Sequence, residues 1–203
     1  MTAATVIGVD AATVIGVDGA TAVLGDADHL ARVLVGELAL PGTASVGTHV
    51  VRSGRPHLAL SLTLPDAATA AEVWRALTVR SAPEPVGLAF GERRHGPAEL
   101  SEGAAHAVAE RTERGAGRAV LFPGAGALTG TVEVGELLAA SAVDEVALLG
   151  AAGPPDGERR ILTRDHLRPE WREGRLVLTV MEAAGGVLVP FEVPDPTPCC
   201  ADH

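Results

Sequence analysis

From His57 to Leu64 the chain reads His-Leu-Ala-Leu-Ser-Leu-Thr-Leu. Leu58, Leu60, Leu62 and Leu64 alternate with His57, Ala59, Ser61 and Thr63. A period of two belongs to extended backbone, whose successive side chains point to opposite faces. The segment is therefore a half-buried strand with its leucines turned into a core. A slip of one residue would turn all four leucines outward, so the register of this strand is tightly specified. Any fold open to the chain must lay helices or a second sheet over the leucine face. Residues 46–52 are the natural partner, joined through Ser53-Gly54-Arg55 as a hairpin.

Other elements follow from capping and breaking residues. Leu30, Val33, Leu34 and Leu38 lie at helical spacing over 28–40, with Asp26 or Asp28 as cap and Pro41-Gly42 as stop. Asp66 caps a second helix carrying Val73, Trp74 and Leu77, and a short strand spans 86–90. Residues 91–97 (GERRHGP) read as a linker, being charged, bounded by glycine and near mid-chain. Pro97 suits the first turn of a helix over 98–114, which Gly115 ends. A strand at 118–122, a glycine-rich loop, a helix near 132–141 and a strand at 145–149 follow, then a loop at 150–157. Three β-segments at 160–163, 175–181 and 187–192 close the chain, with Gly185-Gly186 as a hairpin turn.

Hairpins mixed with helices point to an α+β fold. The expectation is mixed, largely antiparallel sheets with helices packed on one face, as two small α/β subdomains or one continuous domain. The segments divide as 1–18, 19–91, 98–193 and a Pro/Cys-rich tail at 194–203. The first of these holds an eight-residue repeat: AATVIGVD occurs at 3–10 and again at 11–18. Two copies are too few for a solenoid, so slippage during replication is the simplest origin. Each copy is β-prone, and Asp10 and Asp18 read as charged gatekeepers on a sticky strand.

Composition narrows the function classes. Apolar residues make up 47% of the 203, which is enough to fold without disulfides. There is no Lys, Asn, Gln or Tyr, so every basic residue except His is Arg, an alphabet expected from a GC-rich bacterial genome. The formal charge of −10 argues against nucleic acid and against an anionic membrane surface. Aromatics are only 2%, which leaves few platforms for stacking bases. No basic n-region precedes Arg32, no apolar run is long enough to span a bilayer, and the two cysteines are adjacent. A cytoplasmic protein, with a protein partner or its own copy as possible company, is the expectation.

The sharpest chemical signal is the tail Pro-Cys199-Cys200-Ala-Asp202-His203. Thiolates and imidazole are the usual zinc ligands, and thiolates also suit copper(I). Adjacent cysteines depart from the spacing of standard zinc modules. His166 sits in a charged loop, Arg164-Asp165-His166-Leu-Arg168-Pro-Glu170-Trp171, and is a candidate further ligand. His49 and His57 flank the hairpin and, with a three-residue turn, would lie on one face about 7–8 Å apart. Gly124, Gly126 and Gly130 stand between a strand and a helix, the context of an anion-binding loop, with spacing G-x-G-x-x-x-G and no lysine. Ser101 and Ser141 lack a nucleophile motif, and Glu133 with Glu136 reads as a solvated helix face. The leading functional expectation is a zinc- or copper-binding protein using Cys199, Cys200, His203 and His166. The alternatives are a non-catalytic interaction module with a docking tail, and a small-molecule enzyme using the Gly124–Gly130 loop.

Overall fold

The structure, a computed structural model, describes residues 10–80 and 84–193. The second copy of the repeat forms a short 3-10 turn and then β1 (Val14–Thr21). There follow α1 (Leu24–Glu37), the hairpin β2 (Ser45–Val51) and β3 (His57–Thr63), α2 (Ala67–Val79), the hairpin β4 (Gly87–Phe90) and β5 (Arg93–His95), and α3 (Ala98–Glu113). The second half comprises β6 (Arg118–Leu121), β7 (Thr131–Glu133), α4 (Val134–Ala140), β8 (Glu145–Leu148), β9 (Arg160–Leu162), β10 (Glu170–Arg172), β11 (Arg175–Glu182) and β12 (Leu188–Pro190).

The chain is an α+β protein whose sheet is mostly antiparallel. The strands run β5-β4-β1-β3-β2-β6-β10-β11-β12-β9-β7, with β8 on the other edge of β11. Among the described residues, only β8–β11 and β9–β12 are parallel pairs. The leucine strand is β3, flanked by β1 and β2, with Val51 opposite His57 and Ser45 opposite Thr63. Leu60, Leu62 and Leu64 are buried against Ala27, Ala31 and Leu34 of α1 and against Trp74 and Leu77 of α2. Asp66 caps α2 as expected, accepting from the Thr69 N–H at 2.8 Å.

Helix placement differs from a single covered face. In the first half α1 and α2 cover the leucine side, and α3 covers the other. Small residues permit this: a Cβ on Gly16 would come 2.0 Å from the Ala104 carbonyl oxygen, and one on Gly87 would stand 2.1 Å from Leu100 backbone. Ala59, Val51 and Ala107 form a thin apolar contact between the sheet and α3, beside the buried polar groups Asp18, His49 and Ser61. The 91–97 stretch turns at Gly91 and pairs back, Leu88 opposite His95.

Strand β6 joins the two halves. It pairs with β2 on one edge and β10 on the other. Its alternation also divides the core: Val120 packs with the first half, and Ala119 packs with the cluster around Leu137, Ile161 and Leu178. Among the described residues, no helix is long and apolar enough to cross a membrane.

Candidate functional site

Charged groups gather where the halves meet. Helix α1 begins at Leu24 with Val23 as a cap that makes no side-chain bond. Asp28, read from sequence as a possible cap, therefore lies inside the helix and faces the seam. Its Oδ2 accepts from Arg168 Nε at 3.0 Å and Nη2 at 2.8 Å, and its Oδ1 from Arg118 Nη1 at 3.2 Å. Arg118 also grips both oxygens of Glu192, with Nε 2.6 Å from each. The side chains of Asp28, Arg168 and Arg118 are only 7%, 5% and 12% exposed. A buried cation–anion network of this kind holds together only when its members are paired.

His166 sits at the margin of this network, in the turn between β9 and β10. Its Nε2 is buried, has no hydrogen-bond partner among the described residues, and lies 3.9 Å from Glu192 Oε1. Burial, and then the neighbouring Arg168 guanidinium, pull the imidazole pKa below its ordinary value. Cys199, Cys200 and His203 lie outside the described residues. Among the described residues no three His, Cys, Asp or Glu side chains gather as a metal cage.

The glycine-rich loop is built differently from an anion-binding strand–loop–helix unit. Strand β7 intervenes before α4, and the first N–H groups of α4, on Val134 and Gly135, bond the carbonyls of Arg159 and Gly157. Gly130 donates its N–H to Asp165 Oδ1 at 3.1 Å, and its carbonyl accepts from Thr163. Gly124 has φ +83°, and a Cβ there would stand 2.1 Å from the Ala140 carbonyl oxygen, so it is a packing glycine. Gly126 differs: a Cβ would meet nothing within 4 Å. The loop backbone is thus mostly spent inside the fold, and what it borders is two clefts of about 380 and 250 Å³.

A second polar cluster lies beneath α3. His49 and His57 do point to one face, but they serve different partners. His49 Nδ1 lies 3.0 Å from Glu110 Oε2, and its Nε2 lies 2.8 Å from Ser61 Oγ. A carboxylate can only accept, so Nδ1–H donates to Glu110 and the Ser61 hydroxyl donates to Nε2. This is the order of a nucleophilic triad. Ser61 is 0% exposed and His49 1%, however, so no substrate reaches the hydroxyl and the set acts as a buried tie between sheet and helix. Burial lowers the His49 pKa more than Glu110 raises it, so the ring is neutral.

His57 donates from Nδ1 to the Arg55 carbonyl at 2.7 Å and meets Asp18 Oδ2 through Nε2 at 2.8 Å. Both acceptors call for a proton, so the ring is an imidazolium paired with a carboxylate that is 0% exposed. Burial opposes that charge, and the bonds to Arg55 and Asp18 outweigh it, so the pKa is raised. Asp18 is therefore no surface gatekeeper. It is the buried end of a strand that α3 closes over, with Gly103 making room: a Cβ there would be 1.9 Å from Asp18 Oδ2. Nearby, Arg111 lies with its guanidinium carbon 4.2 Å from the Trp171 ring centre, and burial lowers its pKa to about 10. Its aromatic seat holds Trp171 over Gly47 of β2, where a Cβ would be 2.5 Å from the indole.

Sequence reasoning singled out His166 and the paired hairpin histidines. It missed Glu110 and Asp18 as the partners of His49 and His57, and the network of Asp28, Arg118, Arg168 and Glu192 beside His166, because these contacts join residues 39 to 140 positions apart. Compared with family models, curated proteins and solved structures, the chain matches none.

Proposed function

We propose that the protein binds zinc or copper at a site formed by His166 together with Cys199, Cys200 and His203 of the tail. The observation that carries the reading is the buried His166 Nε2, without a hydrogen-bond partner among the described residues and 3.9 Å from Glu192, the last acid before residue 194. That separation is too long for a hydrogen bond. It is within what two donors on one ion span, since each bond to zinc is about 2.0–2.2 Å. Cys199 is seven residues beyond Glu192. Seven residues reach at most about 25 Å, so the thiols can arrive at His166. Two thiolates would also supply the negative charge that a cation needs beside Arg118 and Arg168. A thiolate-rich set favours zinc or copper(I) over harder ions.

The test is metal content of the full chain, purified under reducing, chelator-free conditions and then exposed to zinc. The expected result is about one ion per chain, lost in the Cys199→Ser/Cys200→Ser variant and bound about tenfold or more weakly by His166→Gln. A chain that takes up no metal would overturn the reading. Unchanged affinity in His166→Gln would remove His166 from the ligand set.

A further inference from the structure

We infer that the seam between the two halves holds a second site, a divided cleft for a small amphiphilic anion: an aryl or medium alkyl group carrying a carboxylate or sulfonate. The cleft straddles the glycine-rich loop. Its larger part, about 380 Å³, is walled by Val35, Leu40, Pro41, Val46 and Phe122. Its smaller part, about 250 Å³, is walled by Arg32, Thr129, Asp165 and Arg168. The parts share Leu121, Phe122, Ala125 and Gly126, so they adjoin along the glycine-rich loop. The larger part by itself falls in the size range of small-molecule pockets, about 300–1,000 Å³, and both parts lie between two packed halves where such pockets concentrate.

The charge in the polar part is unevenly committed. Asp28 is taken up by Arg168 and Arg118 at 2.8–3.2 Å. Asp165 accepts from the Gly130 N–H. Arg32 has only a long approach to Asp28, 4.0 Å, and its side chain is 55% exposed. It is the third guanidinium around one carboxylate and the one with no hydrogen bond of its own among the described residues. A ligand whose apolar group fills the larger part would bring its anionic end to Arg32. The two parts thus select a molecule with both properties, where an apolar or a purely ionic one would satisfy only half.

Gly126 gives a clean way to close the cleft. A Cβ there meets nothing within 4 Å, and its φ lies in the range other residues adopt, so a larger side chain enters open space. The probe is anilinonaphthalenesulfonate, titrated by fluorescence against the full chain, with decanoate as competitor and the uncharged N-phenylnaphthylamine as control. Expected are saturable one-to-one binding, displacement by decanoate, and about tenfold or greater weakening in Gly126→Leu. Arg32→Glu should weaken the sulfonate about fivefold and leave the uncharged probe unaffected. Should Gly126→Leu lower the thermal midpoint, Ala127→Trp blocks the same wall from an exposed position. Wild-type affinity in a folded cleft-blocking variant would overturn the site. Equal loss of both probes in Arg32→Glu would overturn its preference for anions.

Discussion

His49 and His57 hang from neighbouring strands on one face, yet they respond to acid in opposite ways. The His57 pKa is raised in the fold, by Arg55 and Asp18 against the pull of burial. Its contribution is therefore complete below the unfolded value of 6.5 and is lost as pH climbs through the folded value. The His49 pKa is lowered by burial, so the unfolded chain takes up the proton first and stability falls as pH drops below 6.5. Urea midpoints across pH should show it: His57→Gln loses most of its stability deficit at high pH, whereas the acid-side decline of the parent flattens in His49→Gln. Parallel profiles for parent and both variants would sink this assignment. The sequence placed both rings on one face only for a three-residue turn, and the observed register, Val51 opposite His57 and His49 opposite Ala59, is the one such a turn gives. The identity of their carboxylates was not legible, because Asp18 and Glu110 arrive through β1 and α3 and no local spacing encodes them.

At the level of elements, α3 is seated on the sheet by absence of side chain. Gly103 has a mid-helix position where Ala would ordinarily be better by about 0.5–1 kcal/mol. Here the added methyl would run into the Asp18 carboxylate. Gly103→Ala should therefore destabilise the protein by about 1–3 kcal/mol, measured by urea unfolding, in reversal of helix propensity. A stabilised variant would mean that α3 is not held this close. Strand β3, the β2–β3 turn and the Asp66 cap were plain in the sequence because each depends on neighbours within a few residues. The start of α1 was not: Val23 caps it without a side-chain bond, so no residue type marks it. Residues 91–97 carry glycine at 91 and 96, a composition that serves a linker and a hairpin turn equally, and pairing with β4 decided between them.

Across the whole molecule, the halves are joined by a continuous sheet at β6 and by the ions around Asp28. Removing that one carboxylate leaves Arg168 and Arg118 close together in a buried place, so Asp28→Ala should cost about 3–5 kcal/mol in thermal or urea unfolding. A loss below about 1 kcal/mol would mean that water already reaches the guanidiniums. The α+β class was legible from the order of helices and hairpins. The seam was not, since it depends on tertiary contacts between the first forty residues and the last forty. The same is true of the divided cleft, whose glycine loop was visible in the sequence but whose Arg32 belongs to a helix ninety positions earlier. One last consequence comes from β1, a central strand made from the second copy of a repeated octapeptide. Residues 3–10 spell the same letters as 11–18, including the aspartate that His57 needs. The octapeptide is therefore written twice, and the second writing alone supplies β1: a change confined to residues 3–9 leaves the sequence of this strand and its Asp18 untouched.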